Sequence, residues 1–124
     1  MEQSLLTVGP SVKASAVAYT LAERQIGSVP VVEENQTLVG LISEFDLLRI
    51  LDEDGDWKLV EAKDVMTRDI VTVTEESLVS EVIHLLQERH LIRVPVVRGR
   101  QLVGIIARQD ILFGYVRATS SYVP

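Results

Sequence analysis

Residues 22–32 read AERQIGSVPVV and residues 87–97 read QERHLIRVPVV, an offset of 65. Residues 38–48, LVGLISEFDLL, return as LVGIIARQDIL at 102–112, an offset of 64. This internal repeat constrains the fold more than any single residue, because a unit of about 45 residues is too small to bury both faces of a sheet alone. The one-residue difference falls between EENQT (33–37) and RGRQ (98–101), a loop where length drifts cheaply. Upstream, TVGPSV (7–12) aligns with TVTEESL (72–78), one residue short.

The second copy reads most clearly. Ile70–Val73 predicts a short β-branched strand, and Glu75, Glu76 and Ser77 suit the first turn or cap of a helix. Leu78, Val79, Val82, Ile83, Leu85 and Leu86 then recur at helical spacing, with Ser80, Glu81, Gln87 and Glu88 opposite. Arg93–Val97, a turn at Gly99 and Leu102–Ala107 predict a hairpin, and a second helix is expected from about Arg108 to Val116. The unit is β-α-β-β-α, an α/β (α+β) arrangement, and the two copies are expected to pack as a pseudo-twofold pair. In the first copy Ala14, Ala16, Ala18 and Ala22 give a slimmer helix able to approach another closely.

Between the copies, 52–64 is acidic and turn-rich at first and more ordered later. Asp52, Asp54 and Asp56 around Gly55 look like the start of a calcium loop, but the twelfth position is Lys63, which cannot ligate. A solvated linker is the better reading, with Trp57 anchoring it to the body.

Composition narrows the function. The 124 residues contain no Cys, which excludes thiol catalysis, Cys-based zinc sites and disulfides, and two His, His84 and His90, leave little for a metal centre. A net charge of −6 disfavours nucleic acid and acidic membrane surfaces, and 5% aromatics leave few platforms for stacking bases. No apolar run approaches the ~20 residues that span a bilayer. MEQSLL lacks the charged and apolar regions of a secretory leader, so a soluble cytoplasmic protein is expected. There is no GxSxG, P-loop, GxGxxG or HExxH, and the chain is not expected to be an enzyme.

The two hairpin-to-helix junctions, GLISEFD (40–46) and GIIARQD (104–110), carry the chemistry. Ser43 and Asp46 are spaced as a capping box; in the second copy Ala107 has replaced the Ser while Asp110 remains. Capping and helix-dipole preference account for both Asp residues. A carboxylate beside free helix N–H groups also suits a ribose bearing a 5′-phosphate, since it accepts from vicinal hydroxyls while the amides face the anion.

The repeat order, the run KDVMTRDIVTVTEESLVSEVIHLL (63–86), the VPVV strands and the G-h-h-[ST]-x-x-D junctions resemble a tandem pair of CBS domains, a Bateman module, over about residues 3–117. The resemblance implies repeats at 3–51 and 65–117, a linker at 52–64 and a tail at 118–124. It implies association of the repeats through their sheets and clefts that bind AMP, ADP, ATP or S-adenosylmethionine, with no cofactor required. It also implies a regulatory role, a homodimer and a regulated protein partner that the sequence does not name. Carried over by position, Asp46 and Asp110 are the ribose carboxylates and Ser43 contacts ribose or phosphate. Gly27, Ser28, Val29 and Pro30, with Ile92, Arg93, Val94 and Pro95, line the base pocket, and Thr7 and Thr72 add a further position. Ala107 departs from the motif, leaving adjacent Arg108 as a substitute, and Ile92 replaces Gly27, so the two sites are unequal.

Charge sharpens that inequality. Residues 1–64 hold 5 basic and 12 acidic side chains, whereas residues 65–124 hold 7 basic, all Arg, and 6 acidic. Arg favours bidentate phosphate contact, which singles out Arg93 and Arg108 and, behind them, Arg68. The alternative function is an oligomerisation or protein-interaction scaffold with degenerate pockets.

Overall fold

The computed structural model describes residues 5–119, of which Thr119 only as helix backbone; sequence expectations for MEQS and for 120–124 lie outside them. The chain divides into two compact units. The first comprises residues 6–70 with 100–102; the second comprises residues 71–99 and 103–119, together with Leu5.

In the first unit, helix α1 (Ala14–Arg24) leads to strands β1 (Ser28–Val32) and β2 (Leu38–Ser43), helix α2 (Glu44–Asp52) and the single turn α3 (Ala62–Val65). β1 and β2 pair antiparallel with Ser28 opposite Ser43 and Val31 opposite Gly40. The strand expected near TVGPSV contracts to one residue: Val8 bridges Val31 in parallel, donating to the Pro30 carbonyl and accepting from Val32 N–H. Ala14, Val17, Val29, Val31 and Ile42 are wholly buried at the centre of the core. Ala16 and Ala22 instead face solvent, so only part of the expected small-residue face packs.

The later part of the linker is built into this unit. Trp57 packs on the core while its carbonyl accepts from Ser15 N–H; Val60 accepts from Ala14 N–H, and Ala62 N–H donates to Val12. Residues 51–56 alone are exposed throughout. Residues 65–70 also group here: Met66 is buried against Gly40, and Thr67 exchanges backbone hydrogen bonds with Leu41. A Cβ on Gly40 would stand 2.6 Å from Met66 Cγ, so the absence of a side chain there is what admits the methionine.

The second unit contains strand β3 (Val73–Thr74), helix α4 (Val79–Glu88), strands β4 (Arg93–Arg98) and β5 (Gln101–Ala107, begun in the first unit's residues) and helix α5 (Arg108–Thr119). The sheet order is β3-β4-β5, with β3 parallel to β4 through Val73–Val96 and Thr74–Val97. Two expectations are corrected. The strand is Val73–Thr74 rather than Ile70–Val73, because only Val73 and Thr74 come into register with β4. Glu75–Ser77 do not open the helix: Ser77 Oγ accepts from Thr74 N–H at 3.1 Å and closes a turn, so the helix starts two residues later. Leu78 occupies the N-cap and its N–H is satisfied by Glu81 Oε1 at 2.8 Å. Val82 and Leu86 enter the core with Val94 and Val96, while Leu78 and Val79 stay exposed.

The repeat persists in detail. α1 ends at Gln25 (φ 54°) and α4 is followed by His90 (φ 53°), both left-handed without glycine. Ile26 N–H donates to Leu21 and Leu91 N–H to Leu86 at the matching positions. His90 thus closes a helix through its backbone. Gly99, at φ 63°, makes the hairpin turn as expected.

Candidate functional site

Each hairpin delivers its chain into a helix through one local device. Ser43 N–H donates to Asp46 Oδ2 at 2.8 Å, and Ala107 N–H donates to Asp110 Oδ2 at 2.9 Å. The next amide is satisfied by the incoming strand: Glu44 N–H donates to Gly27 at 3.0 Å and Arg108 N–H to Ile92 at 2.8 Å. Both Asp residues therefore perform the capping that an N3 acid offers a helix start.

The carboxylates differ in what remains available. Asp46 is 4% exposed and fully engaged. Its Oδ2 also accepts from Ser43 Oγ at 3.1 Å, and its Oδ1 accepts from Thr67 Oγ1 at 3.4 Å and lies 3.8 Å from Arg49 Nη2. Asp110 is half-buried, and its Oδ1 has no hydrogen bond among the described residues. It stands on the wall of a cavity of about 480 Å³ lined chiefly by Val79, Ile106, Ile111 and Tyr115. That volume suits a small-molecule ligand, with an apolar wall and one polar anchor.

The other expected residues distribute as follows. Val29 and Val94 are wholly buried and Pro30 and Pro95 are buried, so their side chains serve the cores rather than a pocket; Ser28 is half-buried opposite Ser43. Gly27 lines a groove between α1 and α2 next to Glu44. Thr7 is half-buried and Thr72 exposed, each just ahead of the residue that enters the sheet. Arg93 is half-buried at the start of β4. Arg68 donates from Nη2 to the Lys63 carbonyl at 3.0 Å, an internal tie that does not bring it to either Asp. Arg108 does not join Asp110: one turn start sends it to a groove between α4 and α5, away from the cavity that Asp110 lines. Two contributors escape sequence reasoning. Thr67 is legible only as the polar residue after an apolar Met, and Tyr115 only as an aromatic five residues beyond Asp110.

The CBS domain model matches residues 1–53 and 62–117. An uncharacterized protein of Methanopyrus kandleri is 33% identical over 112 residues, 89% of this chain and 57% of that protein. Inosine-5′-monophosphate dehydrogenase of Methanocaldococcus jannaschii is 32% identical over 111 residues, 89% of this chain but 21% of the enzyme. The chain thus spans little more than half the first relative and a fifth of the second. Among solved structures, CBSX2 in complex with AMP superposes with a TM-score of 0.82 at 28% identity, covering 94% of this chain and 91% of that one. With two matched stretches in the order that the repeat requires, the chain belongs to the CBS domain family as a tandem pair.

Proposed function

We propose that the chain is a regulatory ligand-binding module for an adenosine-containing nucleotide (AMP, ADP, ATP or S-adenosylmethionine), acting through the second repeat. The observation that carries this reading is Asp110, a half-buried carboxylate with Oδ1 uncommitted on the wall of an apolar cavity. Asp110 accepts from the ribose hydroxyls, and Ile106 and the Tyr115 ring flank the base. The bound AMP of the CBSX2 structure supports the ligand class. The module works as a cytoplasmic homodimer whose nucleotide state is read by a protein partner. A native-state ligand must stabilise the fold, by about 2.7 kcal/mol at a hundredfold excess over its Kd. Thermal unfolding with each of the four nucleotides is therefore expected to show a rise for at least one. No rise with any of them at millimolar concentration contradicts the proposal.

A second reading, a dimerising scaffold with vestigial pockets, is favoured by the closure of Asp46, which Ser43, Thr67 and Arg49 already surround. It predicts a dimer whose unfolding no nucleotide shifts.

A further inference from the structure

Val79, Ile106 and Ile111 of the Asp110 cavity also line a second cavity, of about 390 Å³, together with Thr74, Glu75 and Ser77. The two spaces therefore adjoin, and a ligand anchored at Asp110 reaches the second with its remaining part. Their charge is one-sided. Asp110 and Glu75 are acidic, and no Lys, Arg or His stands among the described residues lining either space. Each acid keeps one oxygen without a hydrogen bond among the described residues, Oδ1 of Asp110 and Oε2 of Glu75. Glu75 Oε1 accepts from Arg98 Nε at 2.8 Å and lies 2.7 Å from its Nη2, a fork that holds the carboxylate in place. Arg98 itself does not line the cavity. The amides that a phosphate would need are already bonded. Ser77 Oγ accepts from Thr74 N–H at 3.1 Å, Thr74 Oγ1 from Glu76 N–H at 3.3 Å, and the Thr74 carbonyl from Ser77 N–H at 3.1 Å. At the start of α5, Ala107 N–H donates to Asp110 and Arg108 N–H to Ile92.

We infer that Glu75 is a specificity determinant of this site, selecting adenosine ligands whose 5′ substituent is cationic or neutral over those that carry phosphates. This rests on the function proposed above, in which Asp110 holds the ribose and Tyr115 flanks the base. The 5′ substituent then extends past Ile106 and Ile111 toward Glu75. A sulfonium or ammonium group there meets the open carboxylate oxygen, whereas each added phosphate brings charge of the same sign into a space without donors. The arginines that dominate the second half of the sequence do not offset this. Arg108 lines a different groove, and Arg98 is bound to Glu75 from outside the cavity. Affinity therefore falls as phosphates are added, from adenosine through AMP to ATP.

Calorimetric titration of the wild-type chain and of Glu75→Gln with S-adenosylmethionine, adenosine, AMP and ATP tests the inference. In the wild type, S-adenosylmethionine is expected to bind at least about tenfold more tightly than ATP, with adenosine and AMP between them. Added salt should narrow that ratio and leave adenosine unmoved, because only the charged ligands are screened. Glu75→Gln keeps the shape of the side chain and removes its charge. In that variant the ratio should shrink at least about fivefold, while adenosine stays within about twofold of the wild type and so reports an intact site. ATP binding as tightly as S-adenosylmethionine to the wild type, or an unchanged ratio in Glu75→Gln, overturns the inference and leaves the Asp110 site standing. Failure of all four ligands to bind the wild type overturns both.

Discussion

At the scale of single residues, the two aspartates of the repeat show how one motif is assigned two fates. Both cap a helix with the same Oδ2 geometry, yet Asp46 is enclosed by Ser43, Thr67 and Arg49, whereas Asp110 faces Ala107 and a cavity. Asp46→Ala removes a buried carboxylate and orphans the half-buried Ser43 amide, and is expected to cost about 1–3 kcal/mol in urea unfolding. Asp110→Ala, half-exposed, should cost about 1 kcal/mol or less. Equal costs would contradict the assignment of Asp46 to structure. Gly40→Ala forces a methyl into Met66 and should destabilise by about 1–3 kcal/mol; adding Met66→Ala should recover part of that, a coupling that a double-mutant cycle measures. Simple addition of the two costs would rule the contact out. The capping spacing of Ser43 and Asp46 was legible in the sequence. The difference between the aspartates was not, because it depends on Thr67, 21 residues away along the chain.

At the scale of elements, hairpins and helix identities follow from local pattern: the VPVV strands, the Gly99 turn and the apolar periodicity of 82–86 all form as their spacing predicts. Helix starts are decided by competition for one hydroxyl. Ser77 looks like a cap for α4, but Thr74 takes its oxygen and the start moves to Val79. The segment after Gly55 looks solvated because it follows an acidic run, yet Trp57, Val60 and Ala62 give it enough apolar surface to close the first core. α5 carries Gly114 in its interior with open space where a Cβ would stand. Gly114→Ala is therefore expected to stabilise the unliganded protein by about 0.5–1 kcal/mol through helix propensity alone. A lowered melting temperature in that variant would mean the position is packed rather than open.

At the scale of the whole molecule, the net charge of −6 is less informative than its partition, −7 in residues 1–64 and +1 in 65–124. In the structure the difference surfaces as Glu44 and Arg108 at one repeat-equivalent position, each lining a groove between the two long helices of its unit. In the proposed function the inequality of the repeats extends to the ligand, with the first junction closed by Ser43, Thr67 and Arg49 and the second open at Asp110. Isothermal titration calorimetry of AMP into the wild-type chain, Asp110→Ala and Asp46→Asn tests this most directly. One site per chain is expected in the wild type, with affinity reduced at least about tenfold (a 1.4 kcal/mol loss) in Asp110→Ala and near-normal binding in Asp46→Asn. Loss of binding in Asp46→Asn with retention in Asp110→Ala, or no binding of any adenosine nucleotide to the wild type, would contradict it.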